Sequence, residues 1–127
     1  MKKCMTALAI TLMLAGAARA ELPSANDAAI RAALASGKPT VIDLGARSCI
    51  PCKKMAPILE SLSGEYRNRA SVLFIDVHEN EDAAEKFRIQ MIPTQVFFDA
   101  RGKEVKRHIG FMNKAEILKD LQAAGLK

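Results

Sequence analysis

The chain has 127 residues, half of them hydrophobic and 26% charged, which allows one packed domain and excludes an extensively disordered, collagen-like or disulfide-dense polypeptide. Nineteen Lys and Arg against fourteen Asp and Glu give a formal charge of +5, a balance that on its own would suit an acidic partner such as nucleic acid.

The first twenty residues remove much of that argument. Lys2 and Lys3 precede an uncharged run from Cys4 to Ala18, and Arg19 and Ala20 precede a polar change at Glu21. A basic start, a short apolar segment and small residues at Ala18 and Ala20 are the three parts of a secretory signal peptide, so residues 1–20 are predicted to be cut off after Ala20. The apolar run is shorter than the roughly 20 residues of a membrane-spanning helix. Cys4 lies before that run and not at its end, which argues against a lipid anchor. Residues 21–127 are therefore the expected mature domain, periplasmic or otherwise exported, without stable membrane insertion. Losing Lys2, Lys3 and Arg19 leaves 16 basic and 14 acidic residues, and no basic block with interleaved aromatics remains to bind nucleic acid. Cys4 leaves as well. The mature chain keeps two cysteines, Cys49 and Cys52, in a compartment where disulfides persist.

The mature sequence alternates helical and strand patterns. Asn26 or Asp27 caps a first, alanine-rich helix that stops at Gly37 and Pro39. Residues 40–46 form a short apolar run that reads as a buried strand, with Asp43 unusually placed inside it. From Pro51 to about Arg67, Met55, Ile58, Leu59 and Leu62 recur at helical spacing, and Pro57 is expected to kink that helix. Residues 71–77 are a second central strand, followed by an acidic helix whose early Glu81 and Asp82 suit its positive end. An apolar run at 94–98, a turn around Asp99 to Gly102 and a more polar strand through Val105 and Ile109 make a β-hairpin. Asn113 caps a last helix with an apolar stripe of Ile117, Leu118 and Leu121, ending near Gly125. The count is four strands and four helices, with parallel pairing where helices intervene and antiparallel pairing at the hairpin.

Chemistry concentrates where the first strand meets the second helix. At i and i+3 of a helix start, Cys49 and Cys52 share a face and can close a small disulfide ring. Pro51 suits the first helical turn, where its missing N–H costs nothing. The positive end of the helix dipole lies nearest Cys49 and favours its thiolate, and Arg47 is placed to add to that effect. Cys49 is thus the expected nucleophile. Cys52, a turn further in, is the expected resolving thiol. Tetrahedral zinc would need two more ligands, and His78, His108 and the carboxylates lack paired spacing, so no metal is expected. A purely structural disulfide is the other alternative, although so small a ring restrains little chain entropy. His78 and His108 read as solvated surface residues, and Met55 and Met91 as core or groove-lining residues.

From about Thr40 to Leu121 the sequence resembles the thioredoxin family. The matching pieces are VIDLGARSCIPCKKMAPILESL, LFIDV, QMIPTQVFFD and GKEVKRHIGFMNKAEILKDL, in the family's order and spacing. The resemblance implies an α/β thioredoxin fold with a central mixed sheet of four strands, with a fifth allowed, flanked by helices. It also implies a cis peptide at Pro93 beside the disulfide, with Ile92 next to it offering backbone groups to an extended substrate and Ile50 and Pro51 completing the binding surface. Asp43 falls at the family's buried aspartate, behind the more buried cysteine, where it would accept a proton from Cys52. The departures are Ser48 and Ile50 around the cysteines, Gly45 in place of an aromatic, no tryptophan, and Val72 at the position read as that of the lysine that often accompanies the aspartate.

The resulting expectation is an exported thiol:disulfide oxidoreductase with no cofactor beyond the Cys49–Cys52 pair. It would be a monomer acting on disulfide-bearing protein substrates and reset by a membrane-linked thiol donor. Ile50 and Pro51 supply no group that stabilises a thiolate as histidine does in strongly oxidising members, which favours a reductase over an oxidase. A non-catalytic binding module with a structural disulfide is the competing reading. A disulfide isomerase is disfavoured, because the chain has no room for a dimerisation domain.

Overall fold

The computed structural model describes residues 21–127, and the predicted signal peptide, residues 1–20, lies outside the described residues. In chain order the elements are α1 (Asp27–Leu34), β1 (Thr40–Gly45), α2 (Ile50–Glu65), β2 (Ser71–Asp76), α3 (Glu81–Lys86), β3 (Thr94–Phe98), β4 (Glu104–Ile109) and α4 (Lys114–Ala123). Asn26 caps α1 by accepting the Ala29 N–H at 2.9 Å. The helix ends at Leu34, three residues before Gly37. Pro57 lies inside α2, which continues on both sides of it.

The strands form one mixed sheet in the order β2-β1-β3-β4, with β1 parallel to β2 and antiparallel to β3, and β3 antiparallel to β4. The parallel pairing expected wherever a helix intervenes therefore holds for β1 and β2 but not for β3, which follows α3. The reason is length. With six residues α3 spans about 9 Å, too little to carry the chain back along the sheet, so residues 77–93 leave and re-enter at the same end. That end also carries the loop with Cys49. The fifth strand is reduced to one parallel bridge between Ser24 and Phe74. There the Ala25 N–H donates to the Phe74 carbonyl at 2.8 Å and the Asp76 N–H to Ser24 Oγ at 2.9 Å.

Successive residues of β1 feed two cores. Val41 packs in the cluster of Met55, Leu59 and Leu62 from α2 and Ile117 and Leu121 from α4. Ile42 and Leu44 join Ile30 of α1 and Ala83 of α3 on the opposite face. Covering both faces is why these strands read as unbroken apolar runs. Each buried leucine or isoleucine contributes about 1.5–3 kcal/mol relative to exposure. By the two-residue period of a strand, Asp43 and Gly45 face the same way as Val41, toward α2.

Candidate active site

Residues 46–49 turn the chain from β1 into α2. Cys49 is the N-cap of α2: its backbone is extended (φ −83°, ψ 123°) and its sulfur accepts the Cys52 N–H at 3.4 Å. Pro51 sits in the first turn, where no intrahelical partner awaits its nitrogen. The two cysteines form a disulfide with their Cα atoms 5.1 Å apart. They are unequal in access, Cys49 being half-buried and Cys52 only 4% exposed.

The loop hangs from the end of β2. Asp76 accepts the Arg47 N–H at 3.0 Å through Oδ2 and the His78 N–H at 2.8 Å through Oδ1. The Val77 N–H donates to the Gly45 carbonyl at 2.9 Å. Burial opposes ionisation of Asp76, but the N–H groups of Arg47, His78 and Glu79 outweigh it and hold the carboxyl below the ordinary carboxylate range. Sequence reasoning missed this role, for which an aspartate closing an apolar strand was the available signal. The Arg47 guanidinium lies 3.0 Å from Glu21 and 5.1 Å from the centre of the Phe74 ring, so these groups, not the cysteines, are its contacts.

Gly45 is fixed by close approach. A Cβ on it would lie 3.0 Å from Cys52 Sγ, so that the sulfur would have to give by a few tenths of an ångström, and in ordinary contact with the Phe74 ring at 3.5 Å. The glycine in the place of an aromatic thus lets Cys52 lie against the end of β1. Beside it a cavity of about 20 Å³, lined by Leu22, Ala56, Leu59, Phe74 and Cys52 itself, leaves room for about one water.

Asp43 lies one pleat further along the same face and is fully buried. Its Oδ1 accepts a hydrogen bond from Gln95 Nε2 at 2.8 Å, across the β1–β3 register. Desolvation raises its pKa to about 6, with the Gln95 bond opposing the shift in part. In the register Phe74 stands beside Asp43, and Val72, at the position read as that of the family's lysine, pairs with Val41 on the same face. Both are apolar, and the polar partner of Asp43 comes from the other side, from β3.

The Ile92–Pro93 peptide is cis. Thr94 pairs with Leu44, which sets Pro93 level with Gly45 at the end of the sheet, and the Pro93 carbonyl accepts the Gly110 N–H at 2.8 Å. Pro93 is buried and Ile92 half-buried. Ile50 and Met91 flank this end with 71% and 63% of their surface exposed. Met55 instead belongs to the core, its sulfur accepting the Met112 N–H at 3.3 Å. His78 is exposed, whereas His108 is half-buried, with Nε2 3.3 Å from the Phe111 carbonyl. Among the described residues no group of three or more His, Cys, Asp or Glu is placed to hold a metal, and no helix is long and apolar enough to cross a membrane.

The strand-to-helix CxxC and the cis Pro93 thus stand at the same end of a β2-β1-β3-β4 sheet. The thioredoxin family pattern matches residues 21–123, and the chain belongs to that family. It is 42% identical over 88 residues to the bifunctional thioredoxin reductase/thioredoxin of Mycobacterium leprae, covering 69% of this chain and 19% of that longer relative. Against the thioredoxin of Staphylococcus haemolyticus it is 42% identical over 81 residues, which cover 61% of this chain and 77% of the relative. The solved structure of chloroplastic thioredoxin z superposes with a TM-score of 0.70 at 30% identity, over 83% of this chain and 95% of that one. The protein is thus a thioredoxin-like redox protein carrying a Cys49–Cys52 disulfide.

Proposed function

We propose that the protein is an exported thiol:disulfide oxidoreductase that reduces disulfides in other proteins. The observation that carries this reading is the unequal access of two bonded cysteines at a helix N-terminus: one sulfur is reachable and the other held behind it. In the dithiol form the Cys49 thiolate, favoured by the positive end of α2, attacks a substrate disulfide and releases one substrate thiolate. Cys52 then loses its proton to Asp43 and attacks Cys49 Sγ. The Cys49–substrate bond breaks, the second substrate thiolate leaves, and the Cys49–Cys52 disulfide is restored. Ile50, Pro51, Ile92 and the cis Pro93 lie at the same end of the sheet as the disulfide and offer an extended substrate segment apolar contacts and backbone groups. A membrane-linked thiol donor returns the pair to the dithiol.

Reduction is favoured over oxidation because neither Ile50 nor Pro51 donates a hydrogen bond to a Cys49 thiolate, and a less stabilised thiolate means a more reducing pair. Equilibration in dithiothreitol buffers tests the direction: a potential near that of thioredoxin, about −270 mV, supports a reductant, and one near −120 mV an oxidant. Cys52→Ser is expected to accumulate substrates bound to Cys49. If it recovers none while the disulfide resists strong reductant, the protein is a binding module instead. Export is read from residues 1–20, and the expected intact mass of protein recovered outside the cytoplasm is that of a chain starting at Glu21.

A further inference from the structure

Buried polar atoms are normally hydrogen-bonded, and exceptions call for an explanation. Among the described residues two side-chain atoms are buried without a partner, Asp43 Oδ2 and Gln95 Oε1. They belong to the same pair of side chains, which are register partners on β1 and β3, both fully buried, and already joined through Gln95 Nε2 and Asp43 Oδ1 at 2.8 Å. Both unpartnered atoms are acceptors. An ionised Asp43 has no proton for Gln95 Oε1, whereas the carboxylic acid carries one O–H, and an acid facing a primary amide closes a ring of two hydrogen bonds.

The surroundings leave few competitors for that proton. From β2 the neighbour of Asp43 is Phe74. From α2 the titratable group is Cys52, against Gly45 one pleat away. On β4, His108 stands in register with Gln95, and the Lys106–Asp120 ion pair ties β4 to α4 one pleat further on.

We propose that Gln95 is a positioning residue for Asp43: its amide donates to the carboxylate before proton transfer, and accepts from the carboxylic acid once Asp43 has taken the proton of Cys52. This rests on Asp43 being the proton acceptor proposed above. In the resolving step the Cys52 S–H proton passes to Asp43 Oδ2, and the sulfur's electron pair forms the bond to Cys49 as the substrate thiolate departs. Gln95 Oε1 then gains the donor it lacks in the ionised state. Transfer leaves no charge in the apolar core and no unpartnered acceptor in the pair. Burial favours the neutral acid at Asp43, while the Gln95 bond to the carboxylate opposes that shift in part.

Infrared difference spectra and stopped-flow kinetics together test this. The C=O stretch of protonated Asp43, identified as the band missing in Asp43→Asn, is expected at higher wavenumber in Gln95→Leu and in the isosteric Gln95→Met, because the acid loses its partner. In the reaction of the reduced protein with dithiobis(nitrobenzoate), the first nitrothiobenzoate is released by Cys49 and the second by Cys52. Both Gln95 variants are expected to keep the first rate and slow the second by about tenfold at neutral pH, as loss of a hydrogen bond worth about 1.4 kcal/mol would do. Asp43→Asn should slow the same phase, and adding Gln95→Leu should slow it no further. An unmoved C=O band, or slowing that adds to that of Asp43→Asn, overturns the role of Gln95. A second phase at the wild-type rate in Asp43→Asn overturns the base role of Asp43 instead, and the C=O band still decides whether the acid and amide are paired.

Discussion

Burial couples the protonation of Asp43 to stability, and the sign of the coupling follows from its direction of shift. Its pKa is about 6 in the folded protein against 3.8 for an unperturbed aspartate. Between these values the folded state binds more protons than the unfolded one, so stability falls as pH rises. A shift of about two units corresponds to about 3 kcal/mol, absent below pH 4 and fully expressed above pH 6. Asp43→Asn removes the charge, and its amide can both accept from and donate to Gln95. The variant is expected to exceed the wild type by about 1–3 kcal/mol at pH 8 and to lose most of that advantage at pH 4, measured by urea unfolding of the oxidised proteins. Gly45→Ala acts in the opposite sense. Its Cβ would crowd Cys52 Sγ at 3.0 Å, and the expected cost is about 1–3 kcal/mol, read as a lower urea midpoint with an unchanged slope.

At the scale of elements, α4 shows how local chemistry sets a boundary. Asn113 Oδ1 accepts the Glu116 N–H at 2.9 Å while the Asn113 N–H donates to Glu116 Oε2 at 2.8 Å, a reciprocal capping box. Asn113→Ala is expected to cost about 1 kcal/mol in urea unfolding and to leave the reduction potential unchanged, since the cap bonds Glu116 and not the disulfide loop. Such boundaries were legible in the sequence because caps, helix periodicity and turn residues are local. The Asn26 and Asn113 caps, the hairpin turn at Asp99 and the helix start at the cysteines all stand close to where the residue pattern puts them. What escaped was set by register. β3 is buried at all five positions, so TQVFF carries no alternation to tell which face Gln95 takes or that it meets Asp43. The antiparallel course of β3 depended on the shortness of α3, a property of the whole connection and not of any one residue.

At the scale of the whole molecule, everything unusual gathers at one end of the sheet. The disulfide, Gly45, the cis Pro93 and the exposed Ile50 and Met91 meet there, because both the β1–α2 turn and the β2–β3 connection open at that end. The segment before α1 is tied to the same region through Ser24, Ala25 and the Glu21–Arg47 ion pair. Removing residues 21–25 is therefore expected to lower stability by about 2 kcal/mol, from the two less exposed of the four hydrogen bonds lost, those of Ser24 and Ala25, at about 1 kcal/mol each, read by thermal or urea unfolding against the chain that starts at Glu21. The clasp made by Asp76 and the buried acid of Asp43 answer to pH in different ranges. The two buried aspartates near the disulfide are pushed in opposite directions, Asp43 to about 6 and Asp76 below its usual value. Mild acid would thus neutralise Asp43 while Asp76 still grips the backbone of Arg47. On the role proposed for Asp43, acidification would turn down the resolving step like a valve and leave the loop that carries Cys49 in place.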